Sequence, residues 1–212
     1  MTLHTWLSLL AVCTLGAMSP GPSIGVIIHI ASKRDRLSGI CAAIAHGLGV
    51  LCYALLAAFG LALVITQSPI VFTTIKLFGA LFLAYIGCKS LGLSRGKTTA
   101  LSTDARQEAT QGIAPQPLYR SMLEGFLISA LNPKIALFFL ALFSQFVSPN
   151  ADFNERLIMA VTASGVDMLW YCLVAWSVTK PAIVNRFSSV GRGLEKVFGA
   201  LLILIAVKII LT

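Results

Sequence analysis

Apolar residues come in long blocks along this chain rather than in alternation. Charged or turn-forming breaks separate six of them, at about 5–32, 38–66, 70–92, 121–148, 156–179 and 194–211. The ends are set to within about 2–4 residues. At about 1.5 Å per residue, a helical block of this length crosses a hydrocarbon core of about 30 Å. Inside a bilayer every backbone N–H and C=O needs an internal partner, so continuous apolar blocks predict helices. The expected fold is therefore all-α and polytopic, with six transmembrane helices in one domain over residues 1–212. No Lys or Arg precedes the first block, and its apolar character continues past Pro22. That predicts a retained span rather than a cleaved secretory leader.

Composition sharpens the class. Hydrophobic residues make up 57% of the chain, charged residues 11%, and mean hydropathy is +0.88. Soluble domains carry about 25% charged residues, so a soluble domain with a single anchor is excluded. The net charge of +8 is distributed unevenly. Lys33, Arg34 and Arg36 follow span one; Lys89, Arg95, Lys97, Arg106 and Arg120 flank or lie in the connection after span three; Lys180, Arg186, Arg192 and Lys196 do so after span five. The opposite side has only Lys76, Arg156 and Lys208. The positive-inside rule then predicts three cytoplasmic connections and both termini on the outer side of the membrane. Nucleic-acid binding needs basic clusters with interleaved aromatics, and none occurs. Cys13, Cys41, Cys52, Cys88 and Cys172 all fall in apolar blocks without a CxxC pair, which predicts small buried side chains.

The polar stretch 93–118 divides the chain into related halves, 1–92 and 119–212. It reads as a flexible cytoplasmic linker. KLFGALFLAYIGCK at 76–89 returns as KVFGALLILIAVK at 196–208; Gly47 and Tyr53 match Gly165 and Tyr171 at equal spacing; SPGPS at 19–23 matches LNPKI at 131–135. Three spans per half make the second copy inverted, so the pattern predicts a 3+3 inverted repeat.

Two matched elements sit where a membrane helix least accommodates them. Proline lacks an N–H and clashes with the preceding turn. Pro20, Gly21 and Pro22 are expected to break span one, and Pro133, after Asn132, to break span four. Such breaks persist only where protein or a wet cavity satisfies the freed backbone. Each also starts a second half-helix with unpaired N–H groups and a positive partial charge. The expected donors are Ser23, Ile24 and Gly25 in span one and Lys134, Ile135 and Ala136 in span four. Together they predict an anion site near the midplane, with Ser19 beside it.

Asp167, deep in span five, is the sharpest single residue. A carboxylate at that depth is costly and marks a functional site. It suits a proton carrier, a partner for a substrate ammonium, or a structural pair with Lys134. Asn132 suits either the freed backbone or a substrate. His46 and His29 are candidate proton shuttles or packed side chains. Tyr53 and Tyr171 are candidate gate or ligand hydroxyls, whereas Trp170, Trp176 and Tyr85 suit packing or interfaces. Glu124, one turn after Arg120, reads as its surface partner. Ala54, Ala58 and Ala62 predict close helix approach. No P-loop, HExxH or GxSxG element occurs, so neither ATP nor a soluble-type catalytic centre is indicated, and no cofactor is expected.

SPGPS in the first span, LNPK in the fourth and the short basic connection after span one resemble the lysine exporter (LysE/RhtB) family, most closely its homoserine/threonine exporter branch. The resemblance covers essentially the whole chain. It implies export of an amino acid from the bacterial cytoplasm by exchange with protons, not enzyme activity. Family members often carry Asn or Asp after SPGP, where this chain has Ser23. The implied site holds substrate at Ser19, Pro20, Gly21, Pro22, Ser23, Asn132, Pro133, Lys134, Asp167, Tyr53 and Tyr171, and couples protons through Asp167 and His46. Protons, the amino acid and the bilayer are the implied partners, and a homodimer suits so small a bundle. The wider superfamily leaves two alternatives, a membrane-embedded thiol redox protein and a divalent-metal exporter.

Overall fold

The computed structural model describes residues 1–19, 21–92, 116–148, 151–177, 193, 196–207 and 211. Among them the regular structure is helical throughout: α1 Leu3–Met18, α2 Pro22–Lys33, α3 Arg36–Gln67, α4 Pro69–Ser90, α5 Leu118–Ala130, α6 Pro133–Phe146 and α7 Phe153–Ser177, then α8 Lys196–Val207. The helix starts follow local chemistry. Asp35 caps α3 by accepting from the Ser38 amide at 2.7 Å. Pro22, Pro69 and Pro133 open α2, α4 and α6. There the missing N–H costs nothing, because the first amides of a helix lack intrahelical partners anyway.

Three segments, within α3, α4 and α7, are long and apolar enough to cross a membrane alone. The first and fourth blocks are bent pairs: α1 meets α2 at 61°, and α5 meets α6 at 54°. Counting each pair as one span gives up to five crossings. The sixth block is described as α8 alone, whose 12 residues reach about 18 Å. The predicted linker lies outside the described residues from 93 to 115, as do Pro20 and the basic residues Lys180, Arg186 and Arg192. Large apolar side chains such as Leu56, Ile70, Phe78, Leu169 and Leu204 stand exposed on the helix surfaces. In water such a surface aggregates; against lipid it is the stable arrangement, as in a multi-pass membrane protein.

The bundle is organised around α3, which packs along α7 and α5. Missing side chains allow this. A Cβ on Gly125 would stand 2.1 Å from the Ala42 carbonyl oxygen, and one on Gly49 would stand 2.0 Å from Ser129 Oγ. Gly47 admits Met168 in the same way. Ala54, Ala58 and Ala62 are buried in the principal core, as their spacing predicts. α1 packs on α7 as α5 packs on α3. The matched glycines Gly79 and Gly199 have different neighbours, however: Gly79 faces Ala141, and Gly199 faces the backbone of Gly87.

Candidate functional site

The two breaks come together. At the span-four break Asn132 is the hub. Its Oδ1 accepts from the Lys134 amide at 3.0 Å, and its Nδ2 donates to Ser23 Oγ at 3.3 Å. Its carbonyl accepts from Ile135 N at 3.1 Å and Ala136 N at 3.2 Å. The span-four amides expected to face a ligand are therefore engaged by Asn132, the first by its N-cap side chain and the next two by its carbonyl. In span one no side chain caps α2, whose N-cap is Gly21. Of the two half-helix ends, the one at Gly21 keeps the more open amide face.

Lys134 extends back across the break, and its Nζ donates to Ser19 Oγ at 3.3 Å. The ammonium of one broken span thus reaches the hydroxyl of the other. Tyr53 serves the same break differently: its hydroxyl donates to the Ala130 carbonyl at 2.5 Å. This pairs an acceptor whose intrahelical donor, the Lys134 amide, is turned to Asn132 Oδ1.

Asp167 pairs with His46. Its Oδ2 lies 2.8 Å from His46 Nδ1. The His46 side chain is fully buried and that of Asp167 is 14% exposed. The imidazole also lies 4.5 Å from the Tyr171 ring, centroid to centroid. His46 Nε2 is buried without a hydrogen-bond partner among the described residues. With Nδ1 turned to the carboxylate, the imidazole is held in one orientation. His29 is exposed and away from this pair.

Ser19, Gly21, Pro22, Ser23, Asn132, Lys134, Asp167 and Tyr171 line one cavity of about 60 Å³. That is room for a few waters. Tyr53, Pro133 and His46 stand behind this wall, and Pro20 lies outside the described residues. The remaining lining is apolar and includes Cys13, Gly16, Phe138, Phe139 and Phe198. Sequence reasoning missed these because nothing singles out a phenylalanine in a chain that is 57% hydrophobic.

Two further expectations change. Glu124 pairs with Arg34, Oε1 to Nη2 at 2.7 Å, and not with Arg120. Arg34 also donates to Ser121 Oγ at 2.8 Å, so α5 turns this face toward the end of α2. Of the cysteines only Cys13 is buried; Cys41, Cys88 and Cys172 are half-buried, Cys52 is exposed, and all five are free thiols. Among the described residues no three His, Cys, Asp or Glu side chains converge to hold a metal ion.

The chain is similar to known membrane proteins over nearly its full length. It is 27% identical to the threonine efflux protein of Escherichia coli K12 across 94% of each chain. It is 30% identical to the uncharacterized membrane protein PA4757 of Pseudomonas aeruginosa, covering 90% of this chain and 87% of that one. It is 25% identical to the uncharacterized membrane protein YrhP of Bacillus subtilis, covering 97% and 98% respectively. No solved structure matches the chain. The model of the LysE type translocators matches residues 14–212, and with that match the chain belongs to this family of transporters, which move solutes rather than transform them.

Proposed function

We propose that the protein is a secondary exporter that carries a small neutral amino acid, threonine or homoserine or one of similar size, out of the cytoplasm in exchange for protons. The observation that carries the reading is the meeting of two broken helices and a deep carboxylate at one cavity. A zwitterion has two charged ends, and the cavity offers a partner for each. The substrate carboxylate rests on the Lys134 ammonium and the open start of α2, within reach of Ser19 and Ser23. The substrate ammonium meets Asp167, and Tyr171 closes that side. Asn132, Pro133 and Tyr53 hold the break in shape, and Gly21 and Pro22 stand opposite.

Protonation of Asp167 from outside removes the charge that holds the ammonium, and the substrate leaves. The proton then passes through His46 toward the cytoplasm and the site resets. The membrane potential favours inward proton movement by about 2.3 kcal/mol per charge per 100 mV. The chain sits in the bacterial inner membrane as six spans in a 3+3 inverted repeat, with both termini outside and the linker inside. The matched packing of α1 on α7 and of α5 on α3 supports that repeat. The threonine efflux relative supports the substrate class.

The test is uptake of labelled threonine into inside-out vesicles from expressing cells. Accumulation is expected to depend on the pH gradient and potential and to vanish in Asp167→Asn. Transport that survives both collapse of the gradients and that substitution would refute proton coupling through this residue.

A further inference from the structure

The proposed cavity has two unlike ends. Ser19, Ser23, Asn132 and Lys134 stand at the break, and Asp167 and Tyr171 line the cavity from α7. One helical turn before the break the wall becomes apolar. A Cβ on Gly16 would lie 3.0 Å from Phe138 Cζ and 3.7 Å from Phe198 Cε2. The Phe138 and Phe198 rings are 6.2 Å apart, and Phe139 meets Phe138 edge-on at 5.4 Å. All three rings are at least nine-tenths buried. Cys13 is the one side chain among them with a heteroatom, and a thiol is a weak hydrogen-bonding group.

We infer that this apolar end is the side-chain pocket of the substrate and that it selects short aliphatic amino acids, the size of valine or leucine, over hydroxylated ones. The inference rests on the exporter reading above and narrows it: among small neutral amino acids of threonine's size it ranks those without a hydroxyl first, and leaves threonine and homoserine as poorer substrates. With the carboxylate at Lys134 and the ammonium at Asp167, the side chain of the zwitterion is left to the three rings. There a methyl group is welcome and a hydroxyl has no partner. Valine and threonine have almost the same shape, so the difference between them isolates the hydroxyl. Burying it unpaired disfavours threonine by about tenfold to about a hundredfold. Each additional methylene that fits gains about fourfold. Gly16 sets the depth of the pocket, and Phe138 forms its floor opposite.

The test uses the purified full chain in proteoliposomes, with labelled alanine, valine, leucine, threonine, homoserine and phenylalanine, and reads kcat/KM for each. Valine is expected to exceed threonine by about tenfold or more. Gly16→Ala is expected to lower the leucine-to-alanine ratio by about tenfold, as an overpacked pocket would. Phe138→Ala is expected to raise the phenylalanine-to-alanine ratio. Phe138→Leu, which keeps more of the volume, supplies the same comparison if the alanine variant fails to fold. Threonine or homoserine transported as well as valine, or substrate ratios unmoved by substitution at both positions, would overturn the inference while amino-acid transport itself upholds the exporter reading. Wild-type protein that transports none of the six would overturn both.

Discussion

The contact between His46 and Asp167 makes the sharpest demand on the reading, because it links two spans through one hydrogen bond. The separation of 2.8 Å is that of a charge-assisted bond, and such bonds contribute about 1.5–3 kcal/mol. Removing one partner has unequal consequences. In His46→Ala a fully buried ring is lost and the carboxylate loses its partner. Breaking a buried pair this way costs about 3–5 kcal/mol. The cavity moderates this, because Asp167 lines it and its side chain is 14% exposed. Asp167→Asn keeps a hydrogen-bonding group of the same shape and costs about 1 kcal/mol. The assay is a double-substitution cycle by reversible unfolding in mixed micelles, run at a single pH. The combined variant is expected to fall short of the sum of the two single effects by about 1.5–3 kcal/mol. The same variants in vesicles are expected to lose gradient-driven transport. Single effects that add within about 0.5 kcal/mol would refute the pair as an energetic unit.

Three further outcomes follow from the geometry. In Gly125→Ala the new methyl would stand 2.1 Å from the Ala42 carbonyl oxygen; α5 must back away from α3, at a cost of about 1–3 kcal/mol, read as a lower unfolding midpoint. Tyr53→Phe leaves the Ala130 carbonyl unpaired at the break and is expected to cost about 1–3 kcal/mol, with KM rising as Asn132 loses its fixed position; unchanged stability and KM would remove Tyr53 from the site's support. Asp35 accepts from the Ser38 amide and hydroxyl, which hold its carboxyl below the ordinary 3.8. The stability this adds is present above pH 4 and is lost as pH falls through the lowered value, so the advantage of wild type over Asp35→Ala, about 1 kcal/mol at neutral pH, is expected to shrink in acid. An advantage that grows below pH 4 would contradict the cap.

The breaks were legible in the sequence because proline acts locally. Pro22 and Pro133 each start a helix whatever lies around them, and both do so here. The rotation of each helix about its own axis was not legible. It decides which polar residues meet, and it depends on packing between segments far apart in the chain. His46 and Asp167 are separated by 121 residues, and Arg34 and Glu124 by 90. For Glu124 the local rule of charges one turn apart pointed to Arg120. The three-dimensional packing of α5 against the end of α2 offers Arg34, whose side chain is only 14% exposed. A partly desolvated guanidinium with two partners outcompetes an exposed one on the same helix. The apolar half of the cavity was illegible for a simpler reason. Only position distinguishes Phe138 or Phe198 from other phenylalanines in the chain.

The differences between the halves bear on the mechanism more than their likeness does. On the match of Gly47 with Gly165, the counterpart of Asp167 is Gly49 and that of His46 is Ser164. Gly49 is pressed so closely on Ser129 that even a methyl group would not fit. An acid at that position would have to separate α3 from α5, so the acid stands in one half alone. The breaks differ in the same sense. The second contributes Lys134 and a cap that engages its own amides; the first contributes Ser19, Ser23 and a half-helix that no side chain caps. Tyr53 bonds the backbone of the break, whereas its counterpart Tyr171 lines the cavity. Two identical halves would surround a ligand with the same groups twice and could not tell one end of a zwitterion from the other. Cation and acid, Lys134 and Asp167, both come from the second half, and the matching positions of the first, Pro22 and Gly49, carry no charge, which gives the cavity a direction. That direction is what a carrier needs if a single protonation, at the acid alone, is to release one end of its substrate and not the other.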